Sequence, residues 1–189
     1  MVAAAATHGN VLIRGVIPKH LEAITDRLVK AGASVVEYDD SIRVSGDCDA
    51  LTHVNVKTMP YPGFPTDMQP QITTLLTVAQ GTSIVTEGVW DNRFKYIAEL
   101  IRMGANVTVD GKVAVVQGVP QLTGAAVRAS DLRAGAALVI AGLIASGTTE
   151  IEEIHHIERG YADLVGKLRA LGANITRRSV PDNAVSATA

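Results

Sequence analysis

One helix ending is written three times along this chain. Leu28-Val-Lys-Ala-Gly-Ala33, Leu100-Ile-Arg-Met-Gly-Ala105 and Leu168-Arg-Ala-Leu-Gly-Ala173 place their glycines, Gly32, Gly104 and Gly172, 72 and 68 residues apart. A second echo precedes each one: Gly9-Asn-Val-Leu-Ile13, Gly81-Thr-Ser-Ile-Val85 and Gly147-Thr-Thr-Glu-Ile151, spaced 72 and 66. A period near 70 exceeds that of a solenoid unit, so each copy is a whole supersecondary module.

The middle copy reads in full. Val54–Thr58 alternates as a strand, and Pro60-Tyr-Pro-Gly-Phe-Pro65 is a shaped loop that continues neither strand nor helix. Asp67 opens a helix running to about Gln80, and Ser83–Thr86 is a strand. Phe94–Met103 is a helix, and 107–109 with 113–116 forms a hairpin turned at Asp110-Gly111. The order is β-α-β-α-β-β. The third copy repeats it through Ala126–Ala129, Arg133–Ala145, Thr148–Ile154, Ala162–Leu171 and a strand at Asn174–Thr176, then stops before its last strand. The first copy lacks its first strand, and Met1–His8 supplies only the later half of its first helix. The expectation is a chain cut from something longer, its truncated modules exposing apolar surface and sheet edge that favour aggregation.

The two helix types differ in pattern. The first (2–6, 72–79, 133–145) is apolar almost all round and must be buried. The second is striped: Leu21, Ile24 and Leu28 oppose Glu22, Asp26, Arg27 and Lys30, and Leu164, Val165, Leu168 and Leu171 repeat the stripe. Three buried helices with sheets and striped helices around them predict a helix-cored α/β barrel with approximate threefold symmetry. The buried helices' N-termini then emerge at one end.

Composition narrows the function. The 189 residues are 47% hydrophobic but only 4% aromatic, so the core is Val, Ile, Leu and Ala. A net charge of −2 with mixed signs argues against a broad nucleic-acid or membrane surface, while leaving room for a local anion site. Cys48 is the single cysteine, which excludes an internal disulfide and fits a reducing compartment. The apolar run 134–145 is far short of the about 20 residues a spanning helix needs. Met1–Ala6 has no basic flank and makes a poor signal peptide. The reading is of a cytoplasmic protein.

Chemistry belongs at the shared helix N-termini, where free amides and the helix dipole favour anions. Asp67 and Asp131 stand there, each readable as an N-cap. Arg133, in the first turn, opposes the dipole at about 0.3–1 kcal/mol. It is either a solvated arginine or a cation held beside a bound phosphate or carboxylate. Arg93 and Arg159 each follow their module's glycine by 12 residues, at the entrance to a striped helix. With Arg133 they form a candidate anion clamp. His155-His156 lacks the spacing of a helical metal pair and reads as loop, and Cys48, among acidic neighbours, reads as structural or incidental.

Four motifs then occur in order: Pro62-Gly-Phe-Pro-Thr-Asp-Met-Gln69, Trp90-Asp-Asn-Arg-Phe94, Asp131-Leu-Arg-Ala134 and His156-Ile-Glu-Arg-Gly-Tyr161. Together they closely resemble the C-terminal part of the UDP-N-acetylglucosamine 1-carboxyvinyltransferases, enolpyruvyl transferases that begin peptidoglycan precursor synthesis. The resemblance covers residues 1–177, with 178–189 a disordered tail. It implies a pair of inside-out α/β barrels with the active site between them, this chain matching most of the second barrel. A strand from the family's own N-terminus completes the last module.

The resemblance also implies roles. Asp67 matches the aspartate that contacts the sugar 3-hydroxyl and is the proposed general base for attack on phosphoenolpyruvate. Val89 matches a backbone contact to the nucleotide sugar, with Trp90 beside it. Arg159 matches an arginine reaching the phosphate end of the second substrate on closure, and Arg93, Asp131 and Arg133 match polar residues lining the cleft. No metal or organic cofactor is implied. The family's Gly-rich catalytic-cysteine loop and N-terminal Lys-Asn pair are missing, and Cys48 does not replace them, so the chain alone is expected to be inactive. The related shikimate 3-phosphate transferase and a non-catalytic nucleotide-sugar-binding module are the alternatives.

Overall fold

The computed structural model describes residues 1–46 and 51–179. Cys48 and the tail from Val180 onward lie outside them. The first module comprises α1 (Val2–Ala6), β1 (Asn10–Arg14), α2 (Glu22–Lys30), β2 (Ser34–Glu37) and β3 (Ser41–Ser45). The second comprises β4 (Val56–Lys57), α3 (Gln69–Leu76), β5 (Thr82–Thr86), α4 (Ile97–Arg102), β6 (Asn106–Asp110) and β7 (Val113–Gln117). The third has β8 (Ala126–Arg128), α5 (Leu132–Ile144), β9 (Glu150–Glu152), α6 (His155–Glu158) and α7 (Leu164–Ala170). The β-α-β-α-β-β order of the middle module stands as expected.

The all-round apolar helices are the core. Every residue of α3 is buried, as are residues 134–141 of α5, and α1, α3 and α5 pack against one another. Around them lie three separate sheets, β1-β3-β2, β4-β5-β7-β6 and β8-β9, and no closed sheet forms among the described residues. The first two sheets share one plan. The strand before the striped helix pairs antiparallel with the second strand of the following hairpin, and β4 adds in parallel to β5. Gly46 and Gly118, 72 residues apart, end the two hairpins against α1 and against the turn that follows α3. A Cβ there would lie 2.3 Å from the Ala5 carbonyl oxygen and 1.7 Å from that of Ala79.

Some local expectations change. The expected strand 54–58 shortens to β4, because side chains replace ladder bonds at its start: the Val54 amide donates to Ser83 Oγ, and the Asn55 side-chain Oδ1 accepts from the Ile84 amide. Asn174–Thr176 is coil, since a strand exists only by pairing and no strand among the described residues pairs with it. The α7 stripe is not buried: α7 carries no buried residue and Leu171 is 63% exposed. His155 and His156 form a single helical turn, not a loop. No described helix is long and apolar enough to cross a membrane, and no described cluster of three His, Cys, Asp or Glu could hold a metal ion.

Candidate functional site

Two aspartates at equivalent module positions do different work. Asp131 is the N-cap of α5: in extended backbone, its Oδ1 accepts from the Arg133 amide at 2.8 Å and the Ala134 amide at 3.0 Å. This satisfies two of the donors every helix leaves free at its start. Asp67 caps nothing. It sits in a 3-10 turn, Thr66–Met68, whose tighter winding carries it away from the first amides of α3, and Met68 occupies the cap position. The N-cap reading therefore holds for Asp131 and fails for Asp67.

Asp67 turns instead to arginines from two modules. Arg133 grips it with both Nε and Nη2, the latter 3.0 Å from Oδ2. Arg93, from the loop after β5, places Nη2 3.2 Å from Oδ1. The bidentate Arg133 hydrogen bonds hold the Asp67 carboxyl below the usual carboxylate range against the opposing effect of partial burial, with the charges of Arg133 and then Arg93 adding to them. The same hydrogen bonds to Asp67 push the Arg133 guanidinium upward. Arg133 at its helix N-terminus is thus paired, and an aspartate from the neighbouring module offsets its conflict with the dipole. Arg93 is the less exposed arginine. Its Nε donates to Thr66 Oγ1 at 3.3 Å, and its guanidinium carbon lies 5.8 Å from the centre of the exposed Trp90 ring.

Arg159 stands apart. It ends α6, is exposed, and its side chain makes no hydrogen bond or ion pair among the described residues. The turn that carries it does reach the same end: a Cβ on Gly160 would lie 2.8 Å from both Leu132 methyls, at the first turn of α5. Of the expected clamp, the structure brings together Asp67, Arg93 and Arg133, with Asp131 anchoring Arg133's backbone. It leaves Arg159 flanking them.

Sequence reasoning missed Glu87. It is 1% exposed, and its carboxylate accepts from Thr58 Oγ1 at 2.7 Å, Thr66 Oγ1 at 3.1 Å and the amides of Val89 and Trp90 at 2.9 and 3.1 Å. One signal pointed to it. Ser83 and Val85 are the buried positions of β5, and two-residue periodicity extends that inward face to Glu87. Also unanticipated is Tyr96, fully buried, whose hydroxyl donates to Gln69 Oε1 at 3.0 Å and whose phenol burial pushes upward. The pair ties the entrance of α4 to the start of α3.

Comparison with known proteins agrees with this architecture. The family model of EPSP synthase (3-phosphoshikimate 1-carboxyvinyltransferase) matches residues 1–168. The chain is 54% identical over 177 residues to UDP-N-acetylglucosamine 1-carboxyvinyltransferase of Clostridium botulinum, covering 94% of this chain and 42% of that protein. It is 54% identical over 177 residues to the protein of the same name from Desulfofundulus thermocisternus, covering 94% of this chain and 72% of the relative. Among solved structures, the enolpyruvyl transferase NikO from Streptomyces tendae superposes with a TM-score of 0.85 at 31% identity, over 95% of this chain and 44% of that one. EPSP synthase from Acinetobacter baumannii, at 18% identity over 94% of this chain and 43% of its own, shares the fold with a TM-score of 0.67. The chain spans less than half the length of the Clostridium relative and of both solved structures. With the family model matched over nearly nine-tenths of its length, and a relative more than half identical of which it covers more than two thirds, the chain belongs to the enolpyruvyl transferase family that includes EPSP synthase, among its UDP-N-acetylglucosamine 1-carboxyvinyltransferases.

Proposed function

We propose that this chain supplies one face of a two-sided active site that moves the enolpyruvyl group of phosphoenolpyruvate to the 3-hydroxyl of UDP-N-acetylglucosamine. Residues 1–177 would be the second of two inside-out α/β barrels, which meets a first barrel of the same enzyme across a cleft. The setting would be the first committed step of peptidoglycan synthesis in the cytoplasm, and through it cell shape and division. The observation that carries this reading is the Asp67–Arg93–Arg133 cluster at the start of α5, one carboxylate held by two guanidinium groups from two modules.

In this mechanism the guanidinium groups and the carboxylate have separable tasks. Paired with Arg133, Asp67 has little affinity for a proton. An anionic substrate drawing Arg133 and Arg93 to its phosphate or carboxylate would release Asp67, raise its proton affinity and let it take the proton of the sugar 3-hydroxyl as that oxygen bonds to C2 of phosphoenolpyruvate. A proton reaches C3 from a group outside this chain, giving a tetrahedral adduct. Loss of a C3 proton and cleavage of the C2–O bond to phosphate then restore the vinyl group. Arg93, Arg133 and Arg159 would stabilise charge on the departing phosphate, Asp131 would keep Arg133 in place, and Val89 would offer its backbone to the nucleotide sugar.

The test combines the chain with the first lobe of a close relative and measures phosphate release. Release should require UDP-N-acetylglucosamine and phosphoenolpyruvate together, and Asp67→Asn should lower it by about 100-fold or more. Release with shikimate 3-phosphate as the acceptor would move the assignment to the sister activity. Calorimetric binding of the nucleotide sugar with no turnover in any combination would make the chain a binding module.

A further inference from the structure

We propose that Glu87 is a positioning residue of this site, holding the Val89–Trp90 loop and the Thr66–Asp67 turn in one fixed relation. The proposal rests on the functional reading only for what that loop and turn would meet.

Glu87 follows directly on β5 and is buried, yet among the described residues no cation pairs with it. A buried carboxylate is tolerated only when its lone pairs are taken up by donors. Its donors come from three separate segments: the residue after β4 (Thr58), the turn bearing the catalytic candidate (Thr66) and the loop after β5 (Val89, Trp90). Thr58 closes the ring by accepting the Gly88 amide at 2.8 Å on the same oxygen that donates to Glu87. Four donors on one carboxylate, from positions up to 32 residues apart in sequence, make a junction rather than an isolated bond.

The junction passes to the polar cluster through one atom. Thr66 Oγ1 gives its proton to Glu87 and accepts from Arg93 Nε, while Arg93 Nη2 reaches Asp67. Glu87 thereby orients Thr66, Thr66 orients Arg93, and Arg93 joins Arg133 on the Asp67 carboxylate. On the other side, Glu87 fixes the two amides preceding the Trp90 ring that Arg93 approaches. Glu87 itself is sealed from solvent and would touch no substrate.

Trp90 is the single tryptophan of the chain and stands on the loop in question, so its fluorescence reports that loop directly. The experiment records emission, iodide quenching and melting of the unaltered chain, of Glu87→Gln and of Glu87→Ala. The glutamine keeps the shape but cannot accept at both ends; the alanine releases all four donors. The expected result is cooperative melting in both variants, with the Trp90 quenching constant raised by about twofold in Glu87→Gln and further in Glu87→Ala. Folded variants with unchanged quenching would overturn the proposal. If the alanine variant does not fold, the glutamine variant decides by the same criterion. Loss of folding in both assigns Glu87 to stability alone and overturns the positioning role. The readout needs no ligand, so absence of phosphate release when the chain is combined with a first lobe would defeat the functional reading and leave this one standing.

Discussion

The second and third modules repeat one sequence plan, yet only the second is finished as a packed unit. In the second, α4 lies against β6 of its own hairpin and against α5 and β8 of the next module, and Ile97, Leu100 and Met103 are buried. In the third, among the described residues, β9 has a partner on one side only, no hairpin follows, and α7 has no fully buried residue. The stripe on α7 is as clear in sequence as the one on α2. An amphipathic stripe is therefore a demand for cover, and whether the demand is met depends on strands elsewhere.

The largest test of this contrast uses leucines at the same repeat position, Leu100 and Leu168. Leu100→Ala, at a site closed to solvent, should destabilise by about 2–5 kcal/mol in urea denaturation. Leu168→Ala, at a half-buried position of α7, should cost about 1 kcal/mol or less. Equal costs would mean that α7 is packed as tightly as α4.

A smaller effect separates the two aspartates. Asp131→Ala removes the α5 cap and should cost about 1 kcal/mol. Asp67→Ala frees no helix amide and gives up only an exposed ion pair, so it should cost less, about 0.5 kcal/mol.

The finest test asks whether the two modules are coupled through the site. Asp67 has a folded-state pKa below its ordinary value of 3.8, so its pairing contributes stability above the unfolded pKa. That contribution is lost as pH falls through the folded value, below about pH 4. Arg133→Met should move the Asp67 carboxyl midpoint upward in an NMR titration, and Arg93→Met should move it less, because Arg133 supplies the hydrogen bonds that dominate the shift. An unmoved midpoint in Arg133→Met would break the link between modules.

Much of the architecture was legible because the repeat carried it. The three buried helices, the middle module's element order and the placing of Asp67 and Arg133 at one shared end follow from shared topology plus apolar pattern. What escaped depends on non-local partners. The strand expected at Asn174–Thr176 had suitable residues and, among the described residues, no strand to bond. That Asp67 pairs with an arginine 66 residues away and caps no helix hinged on a 3-10 turn. Arg159 shares its repeat position with Arg93, yet it flanks the cluster without joining it, because equal spacing along the chain does not fix where a flexible guanidinium points. Glu87 was visible only as an acidic residue in phase with a buried strand face.

The hairpin glycines have a consequence for how such a module can drift. At Gly46 and Gly118 the strand ends rest on the Ala5 carbonyl of α1 and on the Ala79 carbonyl just past α3, with no side chain between them. The gap between sheet and helix at those points is gauged by peptide against peptide. Aliphatic residues elsewhere in the interior can then be exchanged for others of similar bulk while the calibre of the module is kept. The two glycines themselves have no such latitude, since even one added methyl would prise the layers apart.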